Sequence, residues 1–127
     1  MNREVLLRRI LWVAALFNLA GAGMFAFPGS PVGALAGLPP DVPAVYRAFT
    51  AVFVLLFGGS YAWLAVHRPL VRPFVAFGAI GKASAFVLML ALWLCDAASP
   101  GGVLIISGDL VLAGLFAWCL AGIPAGT

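Results

Sequence analysis

Charge is what this sequence has least of. Seven Lys and Arg and four Asp and Glu are spread over 127 residues, 9% in all. A soluble domain gives about a quarter of its residues to charge, so a water-facing surface of ordinary size is excluded. Cysteine is nearly absent too. Cys95 and Cys119 make no CxxC and join no Cys/His cluster, which removes thioredoxin-like and zinc chemistry, and no metal site is expected. No segment alternates with period two, so a membrane β-barrel is excluded as well. A basic patch interleaved with aromatics is also missing. Arg3, Arg8, Arg9, Arg47, Arg68, Arg72 and Lys82 are scattered. The net charge of +3 therefore does not indicate nucleic acid.

What fills the chain instead is hydrophobe, 65% of it, with a mean hydropathy of +1.15. That composition belongs to the membrane class, with the lipid bilayer as first partner. Four runs of 18 or more mostly apolar residues read as spans: about 9–27, 44–66, 74–95 and 102–122. The reading is all-α, an integral membrane antiparallel four-helix bundle forming one transmembrane domain over 1–127. Arg3, Arg8, Arg9 and the apolar run after them also fit a signal peptide, with Ala20-Gly21-Ala22 as a cleavage site. The run continues through Phe27, as a retained helix does.

Orientation follows from the basic residues. Arg3, Arg8 and Arg9 precede the first span, and His67, Arg68 and Arg72 lie between the second and third. The positive-inside rule puts both clusters, and both termini, in the cytoplasm, as expected of a multi-pass protein of a cell inner or plasma membrane. The loop 28–43, with five prolines, then lies outside. Ser30-Pro31 has the form of a helix cap followed by proline at the first helical position. Asp41 is placed to cap the second span. Cys95 and Cys119 fall near opposite faces and should not be linked.

Lys82 and Asp109 are the residues lipid should reject most, each costing about 2.5–3.5 kcal/mol at mid-span. They sit in consecutive antiparallel spans, differing in depth by about 8 Å at 1.5 Å per residue. A direct bridge is stretched, and a water or ligand group between them is equally natural. Asp109 is the only acidic residue inside a span, so it is expected to be the hub, paired with Lys82, Arg47 or both. Arg47, Thr50, Val54, Gly58 and Tyr61 share one face of the second span, and Asn18 lies near the middle of the first. The simplest packing turns Asn18, Arg47, Tyr61, Lys82 and Asp109 inward to one site. The competing reading is an ion pair that only fixes helix register. The small residues Gly78, Gly81 and Ala85, and Ala113, Ala117 and Ala121, suit close helix contact and also suit a homo-oligomer face.

A weak internal repeat runs through these positions. Arg8 and Asn18 stand ten apart in the first span, and Arg72 and Lys82 ten apart in the third. Tyr61-Ala62-Trp63 echoes Phe116-Ala117-Trp118. Two parallel hairpins related by an axis along the membrane normal would produce this, and so would chance among apolar segments.

The series Tyr46-Arg47-Ala48-Phe49, Gly58-Gly59-Ser60-Tyr61, Pro69-Leu70-Val71-Arg72-Pro73, Gly78-Ala79-Ile80-Gly81-Lys82 and Gly108-Asp109 resembles the DoxX-like family of small four-helix bacterial membrane proteins, over most of residues 9–121. The resemblance implies a four-helix bundle with Arg47, Tyr61, Lys82 and Asp109 as its polar positions. Its name derives from a membrane subunit of a thiosulfate:quinone oxidoreductase. This chain carries no haem, flavin or iron–sulfur ligand set, so no cofactor is expected. Three functions stand open: a site that binds or passes a small or lipid-soluble molecule, a non-catalytic subunit of a larger, quinone-linked membrane complex, and an enzyme acting on a quinone or lipid. For the last, Tyr61, Lys82 and Asp109 are the only acid/base groups, and no recognisable catalytic constellation is present.

Overall fold

A computed structural model describes residues 2–125. The described residues form α1 (Arg3–Ala26), α2 (Pro31–Leu35), α3 (Ala44–Val66), α4 (Arg72–Leu94) and α5 (Pro100–Ala121), with no strand among them. α1, α3, α4 and α5 are each 22–24 residues long and apolar enough to cross a membrane. At 1.5 Å per residue they reach about 33–36 Å, against a hydrocarbon thickness of about 30 Å.

Capping chemistry sets the ends. α1 begins at Arg3, well before the hydrophobic run, because the Asn2 side chain accepts the Glu4 amide at 2.8 Å and Glu4 pairs with Arg8 one turn on at 2.8 Å. Ser30 caps α2 with Pro31 at its first position. Gly37 ends that turn at φ +72°, the left-handed region that favours glycine. The Ser99 hydroxyl caps α5 and also donates to the Ala36 carbonyl at 2.9 Å, tying the α2 turn to the start of α5. Asp41 does not cap α3. Pro43 occupies the position before the first helical residue, no side-chain bond is made there, and a carboxylate two residues further back has lost the cap site.

The C-terminal carbonyls of α3 and α5 are orphans that a helix must satisfy elsewhere, and arginines satisfy them. Arg8 Nη1 donates to the carbonyls of Leu64, Ala65 and His67 at 3.1, 3.1 and 2.7 Å. Arg72 donates to Ile123 and Leu120 at 3.0 Å each. Arg3 donates to the Trp118 carbonyl at 2.9 Å and lies over the Trp118 ring. The start of α1, the turn between α3 and α4 and the end of α5 therefore share one basic end of the bundle. Asp41 and Asp96 lie toward the other. Cys95, exposed, and Cys119, buried, are both free thiols.

The helices pack as two close pairs, α1 with α3 and α4 with α5; α1 against α5 joins the pairs, while α3 and α4 meet loosely. The pairs are copies of one plan. Arg8 on α1 bonds Ala65 near the end of α3, and Arg72 on α4 bonds Leu120 near the end of α5. Ten residues further along, Asn18 reaches the Val54 carbonyl on α3, and Lys82 reaches Asp109 on α5. Counterparts also touch across the centre: Asn18 meets Lys82, and Tyr61 meets Phe116 edge-on at 5.6 Å. Contact between counterparts is what residues beside a two-fold axis make, so the repeat in the sequence is a pseudo-two-fold along the bundle. Its apolar core holds Leu7, Leu11, Leu64, Val75, Phe116 and Cys119 toward the basic end. The polar centre lies one to two turns further in.

Candidate functional site

Lys82 is 3% exposed, and its ammonium makes two hydrogen bonds. Nζ donates to Asp109 Oδ1 at 2.6 Å and to Asn18 Oδ1 at 2.8 Å. Asn18 in turn donates its Nδ2 to the Val54 carbonyl at 3.0 Å. That second bond fixes the amide so that its oxygen faces the lysine. The chain Val54–Asn18–Lys82–Asp109 thereby crosses all four long helices. The bridge to Asp109 is direct, with no group between the two side chains.

Aromatic rings flank the ammonium. Nζ stands 5.0 Å from the Tyr61 ring centroid and 5.2 Å from that of Phe17, within the range of cation–π attraction. An ammonium has three N–H donors. Two are used, and the third has no partner among the described residues; nor has Asp109 Oδ2. The Tyr61 hydroxyl likewise bonds to nothing among them, although the residue is 2% exposed. The centre thus offers a fixed, overall neutral ion pair with an unused donor, an unused acceptor and a free phenol.

Arg47 is not part of this centre. Its Nη1 points to the Ala26 carbonyl at 3.5 Å, at the end of α1, and its buried Nε has no partner. Arg47 lies in the first turn of α3, while Asp109 lies in the third turn of α5, diagonally across the bundle. The unsatisfied carbonyls closing α1 are nearer than the carboxylate. Thr50, on the same expected stripe, is exposed and bonds back to Tyr46. Gly58 does serve the stripe, by letting α1 approach: a Cβ there would stand 3.0 Å from the Asn18 Cβ.

Beside the centre, α3 and α4 leave a cleft of about 350 Å³, lined by Phe53, Phe57, Tyr61 and Leu64 on one side and Phe74, Phe77 and Gly78 on the other. Phe57 and Phe77 stack across it at 6.2 Å. Sequence reading missed this cleft and the cation-flanking Phe17. The phenylalanines at 49, 53 and 57, one helical turn apart, were the available signal for a continuous aromatic wall. Among the described residues no three His, Cys, Asp or Glu side chains gather to hold a metal ion. No family model, curated protein or solved structure matches the chain.

Proposed function

We propose that the chain is a multi-pass membrane protein of the DoxX-like kind, inserted in a bacterial inner or plasma membrane with its basic end in the cytoplasm, whose polar centre binds or passes a small or lipid-soluble molecule. One observation carries this reading: a charged lysine buried between four apolar helices and held by Asp109 and Asn18, with hydrogen-bonding capacity left over. A pair that served only to fix register would need no spare donor, no spare acceptor and no free phenol beside it. The arginines gathered at one end support the orientation through the positive-inside rule.

In this reading Asp109 keeps Lys82 charged where hydrocarbon would otherwise favour the neutral amine. Asn18 orients Lys82, and the third N–H meets an oxygen on the bound molecule. Native mass spectrometry of the chain released from its own membrane tests this. The wild type should carry a small-molecule adduct that is absent from the Lys82→Met/Asp109→Asn double variant. An adduct of equal occupancy in both would refute it. A second polypeptide held in place of any small molecule would favour a subunit of a larger complex.

A further inference from the structure

We infer that the seam between α3 and α4 is a lateral doorway from the bilayer, and that it takes an uncharged, membrane-dissolved molecule with an apolar body and one hydrogen-bonding oxygen, met by the Tyr61 hydroxyl. The inference rests on the proposed binding role of the polar centre and names the class of molecule that reaches it.

The pseudo-two-fold makes the α3–α4 seam the counterpart of the α5–α1 seam, and the two differ. At α5–α1 the Phe17 ring fills the space above Gly108, so closely that a Cβ on Gly108 would stand 2.6 Å from it. The counterpart of Phe17 is Gly81, and a Cβ there would meet nothing within 4 Å. Gly81 follows Phe74 and Phe77 at helical spacing on α4, one turn beyond the last α4 residues that line the cleft. At this position one seam holds an aromatic ring, and its twin has a glycine with open space beside it.

The chemistry of the occupant follows from the lining. Phenylalanine and leucine make up most of the wall, which selects an apolar body. Ser60 is already satisfied by the Phe57 carbonyl. The Tyr61 hydroxyl is the one polar group of the lining without a bond among the described residues, on a side chain almost wholly buried. A partner oxygen would satisfy it. Charge on the occupant is disfavoured because Lys82 and Asp109 already neutralise each other, and an added ion would leave net charge in hydrocarbon. Tyr61 lies beside Lys82, so a head group bonded to the phenol is at the threshold of the centre.

Photolabelling of the full chain in phosphatidylcholine nanodiscs tests this with three diazirine probes of equal chain length: a fatty alcohol, its oxygen-free hydrocarbon and the corresponding sulfonate. The alcohol should label the Phe53–Leu64 and Phe74–Gly78 segments saturably. Tyr61→Phe should raise its half-saturation about fivefold, the worth of one hydrogen bond, and Gly81→Phe should abolish saturable labelling. Gly81→Ala, whose methyl enters open space, serves as the folding control. Equal saturation by the hydrocarbon, preference for the sulfonate, or no change in Tyr61→Phe would overturn the inference. Labelling that survives in Lys82→Met/Asp109→Asn would keep the doorway and refute the centre as its destination.

Discussion

At the scale of single residues, the protein turns on how Lys82 avoids being an isolated charge in an apolar bundle. Its bonds to Asp109 and Asn18 replace hydration that an apolar interior cannot give. Breaking the pair from one side leaves the other charge stranded, so each single change should cost more than the double. A cycle of Lys82→Met, Asp109→Asn and both, read as thermal stability in detergent, should show a coupling of about 1–3 kcal/mol. The same cycle between Asp109→Asn and Arg47→Met should be additive within about 0.5 kcal/mol, because the two do not touch. Tyr61→Phe should change stability by less than about 0.5 kcal/mol, since the hydroxyl has no partner to lose and the edge contact with Phe116 remains. Lys82, Asp109, Asn18 and Tyr61 could be singled out in the sequence because a long apolar run makes every polar side chain conspicuous. Arg47 was conspicuous for the same reason. Which of the polar groups meet depends on helix pairing, and spacing within one helix does not encode that.

At the scale of elements, arginines hold the ends. Arg8 carries three carbonyls of α3 and its last turn, and Arg72 carries two at the end of α5. Hydrogen bonds from a charged donor are worth about 1.5–3 kcal/mol. Arg8→Met and Arg72→Met should each lose about that much. Exposed Arg9, whose change to Met removes no such bond, should lose almost nothing. Hydrogen exchange should place the lost protection in the last turns of α3 and α5 respectively. The long helices were legible from hydropathy to within a few residues, except at the start of α1. There Asn2, Glu4 and Arg8 satisfy one another and extend the helix through polar sequence that a hydropathy window cannot credit. The arginines themselves read as topology signals, and nothing in their spacing distinguished a cap from a solvated charge.

At the scale of the whole molecule, two copies of a helix pair enclose a centre whose halves have diverged: a neutral amide bonded to backbone in one, a lysine bonded to a carboxylate in the other. The sequence carried the repeat only faintly. Each helix is apolar around most of its circumference, so periodicity does not mark which face meets the other helices and which lies outside. The α3–α4 cleft was illegible for the same reason, since a phenylalanine on the outer surface and one lining a cleft look alike. Orientation can be tested in a Cys95→Ala/Cys119→Ala background with single cysteines at exposed Val32 or Ala125. A membrane-impermeant maleimide applied to whole cells should modify Val32→Cys and spare Ala125→Cys. The reverse pattern would invert the bundle.

The central claim is that the space beside Tyr61 and Lys82 exists to hold a molecule from the bilayer. The most direct measurement is a crystal structure of the chain grown in a lipidic mesophase from protein extracted with its native lipid. The result expected is elongated non-protein density in the α3–α4 seam, with a polar end within hydrogen-bonding distance of the Tyr61 hydroxyl and next to the Lys82–Asp109 pair. A seam closed by its own side chains, with Lys82, Asp109, Asn18 and the Tyr61 hydroxyl all satisfied by one another, would contradict it.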